Sequence, residues 1–202
     1  ISLILTGDNE TKLEKEALRR RQYVSELTHV DQIWPWLKHC HGDLLAVDAP
    51  YAKPPQRFTY SQVSDLIDLA AKSFHGFGIG HGDVVALFAE NSPRWLITDQ
   101  SLMRTGAADA VRGASAPIDE LRYILDDSQA IALVVQTADL WKKLDLSSDK
   151  RKQLRLVLQL EGEPIDGTIG WDEFLSRGER ERGLEINCDS NRELLTSDIA
   201  TI

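Results

Sequence analysis

The chain has 202 residues, is 42% hydrophobic and carries a formal net charge of −9. That acidic balance argues against a nucleic-acid surface, and two cysteines, Cys40 and Cys188, do not make a disulfide framework. No apolar run approaches the roughly 20 residues a membrane span needs, and the length fits one domain or a domain with an extension.

The first predicted element is a strongly charged helix over residues 10–28. Its Arg19, Arg20 and Arg21 sit among Glu14, Glu16 and Glu26 and form a solvated face, not a phosphate patch. Residues 29–41 carry Ile33, Trp34, Trp36 and Leu37 around Pro35, which suits a short helix lying on the main domain. His39, Cys40 and His41 have metal-ligand atoms, yet adjacent residues converge poorly on one tetrahedral ion and no second ligand pair lies at finger spacing. A packing or surface role is expected for them. Residues 43–49 (DLLAVDA) predict a strand, and residues 51–56 (YAKPPQ) an exposed turn between two hairpin arms.

From Arg57 to Val111 the chain predicts strand, helix, glycine-rich turn, buried strand, capped helix and glycine stop in immediate succession. This βαβα order calls for a parallel sheet covered by helices. Thr59 followed three residues on by Gln62 is a capping-box pattern. Val63, Leu66, Ile67, Ala70, Ala71, Phe74 and Phe77 then recur at helical spacing as one apolar stripe. Gly76, Gly78, Gly80 and Gly82 end that helix and open a strand. A dinucleotide-binding glycine loop needs the reverse order, so they form a turn. Residues 83–89 (DVVALFA) are of a length and composition suited to a strand buried on both faces. At Asn91-Ser92-Pro93 a capping side chain precedes a proline suited to the first helical position. Without a G-x-S-x-G elbow, Ser92 is a cap and not a nucleophile. Gly106 stops the helix.

After Gly113, Ser115-Ala116-Pro117 opens another helix through Leu125, with Asp119 and Glu120 in the first turn complementing the helix dipole. Asp126 and Asp127 at its end are expected to be solvated. A strand over residues 131–135, a short helix over 138–144 and a strand over 154–160 follow. Between Glu161 and Ser197 the pattern weakens to one short helix over residues 171–176 and a polar connection.

The residues from 57 onward resemble the opening part of the large domain in the adenylate-forming acyl-activating enzymes, the superfamily of acyl-CoA synthetases, luciferases and peptide-synthetase adenylation domains. FTYSQV (58–63) stands where that family carries a threonine-aromatic pair opening a helix. GIGHGDVVALFAENSPRW (78–95) is similar to its glycine-aspartate strand, polar turn and following helix. LMRTGAADAVRG (102–113) stands where the family has a leucine, a basic residue, Ala-Gly and a strand leading to proline; Val111-Arg112-Gly113-Ala114 departs from that ending. This variant, followed by APIDELRYILDDSQAIALVV (116–135), looks most like long-chain acyl-CoA or acyl-acyl-carrier-protein synthetases of cyanobacterial and plastid type.

The resemblance implies an α/β fold of alternating βα units, with a mostly parallel sheet and flanking helices. Residues 1–42 would be a helical extension and 43–202 the first part of the AMP-binding large domain. TSDIATI (196–202) resembles the approach to the family's phosphate-binding loop. Together with a start at Ile1, this makes an internal fragment the expectation and leaves any targeting segment open. By the same resemblance the parent is a long-chain fatty acid ligase that forms an acyl-adenylate with ATP and Mg2+. It then makes a thioester with CoA or acyl carrier protein, in the cytoplasm or a plastid, with peripheral membrane contact left open. The partners implied are fatty acid, ATP and CoA or acyl carrier protein, with no nucleic acid. The family's catalytic, cofactor and metal residues would lie beyond residue 202. No catalytic, cofactor-binding or metal residue is therefore assigned here, Trp95 is assigned to core packing over an acyl gate, and neither ATP nor Mg2+ is expected to bind this stretch alone. Two alternatives stand beside this: an amino-acid- or aryl-acid-activating relative, against which the Val111–Ala114 departure and the long connection from Gly113 to Thr196 weigh, and a non-enzymatic α/β module sharing only the fold.

Overall fold

The computed structural model describes residue 27 and residues 29–181. Apart from Leu27, which is not helical, the charged helix expected over 10–28 lies outside the described residues, as does the segment 196–202. The described chain opens with a short 3-10 turn, Val30–Gln32, and helix α1 (Ile33–His41). Strands β1 (Leu45–Ala49) and β2 (Gln56–Thr59) then pair antiparallel as the expected hairpin. β2 heads the βαβα run in the sequence, but it stays in this two-stranded ribbon and does not join the parallel sheet. A short turn between two arms pairs them locally, whereas a parallel neighbour needs a crossover.

Helix α2 (Tyr60–Gly76) starts at the capping box: Thr59 Oγ1 accepts from the Gln62 N–H at 3.3 Å, and Gln62 Oε1 accepts from the Thr59 N–H at 2.9 Å. Its stripe buries Val63, Ile67, Ala70, Ala71 and Phe74, with Leu66 and Phe77 partly covered. After the glycine turn come five strands: β3 (Val84–Phe88), β4 (Ala108–Arg112), β5 (Ala132–Thr137), β6 (Leu156–Glu161) and β7 (Ile169–Gly170). They form one sheet in the order β4-β3-β5-β6-β7, every pair parallel. The intervening helices are α3 (Pro93–Thr105), α4 (Ile118–Asp127), α5 (Ala138–Leu144), α6 (Ser148–Gln153) and α7 (Trp171–Arg180).

Strand alternation sorts the core into two layers. Val85, Leu87, Ala132, Val134, Leu156 and Leu158 face α2, α3 and α7, where Phe74, Ile97, Leu102 and Phe174 meet them. Ala86, Phe88, Leu133, Val135 and Val157 face α4 and α5, against Leu121, Leu125, Leu140 and Leu144. Both faces are covered, which is why the strands read as continuous apolar runs. The side taken by each helix follows from handedness. β3 to β4 runs toward one edge and β4 to β5 runs back over β3, so right-handed crossovers place α3 and α4 on opposite faces.

Three elements exceed the sequence expectation. β7 is a two-residue strand within the stretch expected to be a polar connection, too short to show any alternation. α6 has no buried residue, so its polar sequence SDKRKQ shows no apolar period; a Ser147 cap on the Lys150 N–H at 3.2 Å marks its start. α7 runs to Arg180, beyond the expected end at 176, because its last turn packs on α2: Arg177 lies 4.0 Å from the Phe77 ring centre and donates to the Gly76 carbonyl at 2.8 Å. Among the described residues no helix is long and apolar enough to cross a membrane.

Candidate functional site

β3 and β5 are neighbours whose following connections leave in opposite directions, toward β4 and toward β6. In open parallel sheets the crevice outside the carboxyl ends of such strands is where ligands bind. A cavity of about 1050 Å³ opens on this edge. Its walls are the hairpin turn between β1 and β2, the entry to α3 at Asn91–Arg94, the loop Glu161–Pro164 after β6, and the first turn of α7.

Each wall has a local cause. Ser92 caps α3 by accepting from the Trp95 N–H at 3.1 Å, with Pro93 opening the helix as expected. Arg94 is turned inward: it donates to the Leu160 carbonyl, and its guanidinium stands 5.6 Å from the Trp171 ring centre. The loop after β6 is built on Gln159, which is 1% exposed. Its Nε2 donates to the carbonyls of Glu161 and Glu163 at 2.7 and 2.9 Å, and its Oε1 accepts from Thr168 Oγ1 at 3.3 Å. Satisfying those carbonyls lets a polar loop fold over a buried strand end. Gly170, before α7, stands so close to Pro164 that a Cβ would lie 3.2 Å from its ring.

Five carboxylates line the cavity (Asp48, Glu161, Glu163, Asp172 and Glu173) against two cations, Lys53 and Arg94. This surplus of negative charge does not fit a triphosphate. Nor does any group of three His, Cys, Asp or Glu side chains among the described residues stand close enough to hold a metal ion. The crevice is suited to a group without negative charge.

The residues weighed in the sequence fall in separate places. Gly78 and Gly82, at φ +71° and +79°, form the turn from α2 to β3. His39, Cys40 and His41 lie in the last turn of α1, Cys40 exposed. Asp126 pairs with Lys150 at 2.8 Å at the end of α4, and Trp95 packs against the α2, α3 and α7 core layer. Of these only Ser92 borders the crevice. Gln136 and Gln159, which shape the crevice edge, sit in apolar strands where no motif marks them; a lone polar residue near the carboxyl end of a buried strand is the one signal they carry.

The family described as AMP-binding enzyme matches residues 37–196. The chain belongs to the AMP-binding enzyme family. Among its relatives, a long-chain-fatty-acid–[acyl-carrier-protein] ligase of Arabidopsis thaliana chloroplasts is 35% identical over 139 residues, covering 69% of this chain and 19% of that protein. A crotonobetaine/carnitine–CoA ligase of Salmonella paratyphi A is 31% identical over 111 residues, covering 54% of this chain and 21% of its own length. The chain thus spans about a fifth of the curated relatives it matches. The N-terminal domain of FACL13 from Mycobacterium tuberculosis superposes with a TM-score of 0.68 at 20% identity, covering 87% of this chain and 41% of that one. An anthranilate CoA ligase holding anthranoyl-AMP gives 0.66 at 18% identity, over 73% and 28% of the two chains. These superpositions show the shared α/β fold of this AMP-binding family member.

Proposed function

We propose that the protein carrying this chain is an ATP-dependent acid–thiol ligase that activates a long-chain fatty acid and delivers it as a thioester to CoA or acyl carrier protein. The observation that carries this is the 35% identity to a ligase of that name over 69% of the chain, within a family match from residue 37 to 196. The departure at Val111–Ala114 from the family's proline-containing ending supports the same subgroup. ATP and Mg2+ are the expected cofactors; the crevice's surplus of carboxylates does not suit a triphosphate, and no three ligating side chains among the described residues stand close enough to hold the metal, so both are assigned to other parts of the enzyme. Residues 43–202 act as the first part of the AMP-binding domain, with 1–42 as an extension, and supply the framework for a site built by other parts of the enzyme. The chloroplast location of the Arabidopsis relatives supports the plastid setting of the two expected.

ATP–pyrophosphate exchange by the intact protein tests this. Long-chain fatty acids are expected to support exchange, and amino acids and aryl acids are not. Exchange with an amino or aryl acid and none with fatty acids overturns the substrate assignment.

A further inference from the structure

The hairpin that forms one wall of the crevice is held at its base only. There the Tyr60 N–H donates to the Leu44 carbonyl and the Ser61 N–H to the Gly42 carbonyl, both at 3.0 Å, and Ala46, Val47 and Phe58 pack on the core layer of α2, α3 and α7. Past the Ala49–Gln56 pair the turn makes one backbone bond of its own, from the Ala52 N–H to the Ala49 carbonyl at 3.2 Å, and Tyr51 at its tip is 94% exposed. Among the described residues no hydrogen bond or ion pair joins residues 49–56 to the walls across the crevice. A two-stranded ribbon is barely stable by itself, so a tip attached in this way can swing about its base.

The facing walls carry opposite charge. On the hairpin side stands Lys53, and on the far side stand Glu163, Asp172 and Glu173. None of these four forms an ion pair among the described residues. The other charged groups of the crevice are engaged on their own walls. Arg94 is turned to the Leu160 carbonyl and Trp171, and Asp48 pairs with Arg57 at 3.5 Å. Glu161 Oε1 accepts from Gln136 Nε2 at 3.2 Å, and the oxygen of the same amide accepts from the Glu90 N–H at 3.2 Å.

We propose that the hairpin turn, residues 50–55, is a gate over the crevice, latched when Lys53 reaches the carboxylates of Glu163, Asp172 and Glu173. The state described here is the open one. Closing brings a lone cation to three carboxylates that otherwise repel one another, and driving water from the gap lowers the local dielectric and strengthens that attraction. The closed gate covers the carboxyl edge of the sheet, where open parallel sheets bind their ligands. The latch depends on charge and attachment alone, so it stands or falls separately from the ligase reading.

Distances between two spin labels in the intact protein test it. With the native cysteines replaced by serine, Tyr51→Cys and Ser176→Cys carry the labels, one on the hairpin tip and one on the exposed side of α7. Two separations are expected. The ratio of the short to the long one should fall at least about threefold in Lys53→Glu, and by about as much in the unaltered latch when salt is raised to ~1 M, where the screening length is about 3 Å. Replacing Glu163 and Glu173 together by glutamine should lower it too. Lys152→Glu makes the same change of net charge on α6, which does not border the crevice, and should leave the ratio in place. A single separation, a ratio indifferent to Lys53→Glu or to salt, or an equal response to Lys152→Glu overturns the inference.

Discussion

Gly178 has no room for a side chain: a Cβ there would lie 2.2 Å from the Leu69 carbonyl oxygen and 2.7 Å from Ser73 Oγ. The same serine joins the two helices. Ser73 Oγ donates to the Phe174 carbonyl at 2.6 Å and accepts from the Gly178 N–H at 2.9 Å, in wholly buried surroundings. Gly178→Ala must push α7 off α2, and a loss of about 2–3 kcal/mol is expected, in the range of overpacked cores. Ser73→Ala leaves a buried donor without its acceptor and should cost about 1–3 kcal/mol. Urea midpoints at unchanged slope measure both; alanine at 178 leaving the midpoint in place would refute the close approach. Ser92→Ala removes only a helix cap, so it should cost about 1 kcal/mol and spare the kinetics of the folded enzyme. A fall in turnover with an unchanged melting temperature would make Ser92 a site residue. Ser92 is legible in the sequence because cap, proline and helix lie within four residues. Ser73 is not, because its partner is 101 positions away.

At the scale of elements, α1 lies against α2, and side chains of α3 tie it and the turn before it in place. Arg104 on α3 reaches Asp31 and Asp68, each at 3.2 Å, and Trp34 Nε1 donates to Gln100 Oε1 at 2.8 Å. Asp31 has a side chain only 10% exposed, so losing its cation strands a largely desolvated carboxylate. Arg104→Met keeps the hydrocarbon stem and removes the charge. Hydrogen exchange or limited proteolysis should then open residues 29–41 ahead of the sheet, with a stability loss of about 1–2 kcal/mol. Protection that falls evenly over the chain would show α1 to be part of the same cooperative unit. The apolar spacing around Trp34 and Trp36 predicts that this helix lies on the domain, and it does. Which helix receives it is not legible, since any apolar groove would satisfy the same spacing.

The whole molecule is a sheet buried on both faces, so damage on either face should be felt by the other. Phe174→Ala on the α7 side should cost about 3–5 kcal/mol and Leu121→Ala on the α4 side about 2–5 kcal/mol, as large-to-small core changes do. Far-UV circular dichroism and tryptophan fluorescence should report one common transition in both variants; separate transitions would divide the two layers into independent units. The family and the βα order of this chain follow from its residues alone. Capping boxes, glycine stops and apolar runs act over a few residues, and their chemistry is complete at short range. Such signals define β3, α3 and α5 almost to the residue, and they show which strands must be covered on two sides. An apolar strand, however, is compatible with any place in a parallel sheet. Only the tertiary structure decided that β3 stands between β4 and β5, and right-handed crossovers then sent α3 and α4 to opposite faces and opened the crevice. The hydrogen bonds of Gln136 and Gln159 belong to that second level too: they join loops far apart in the chain, and those loops meet only once the strand order is set.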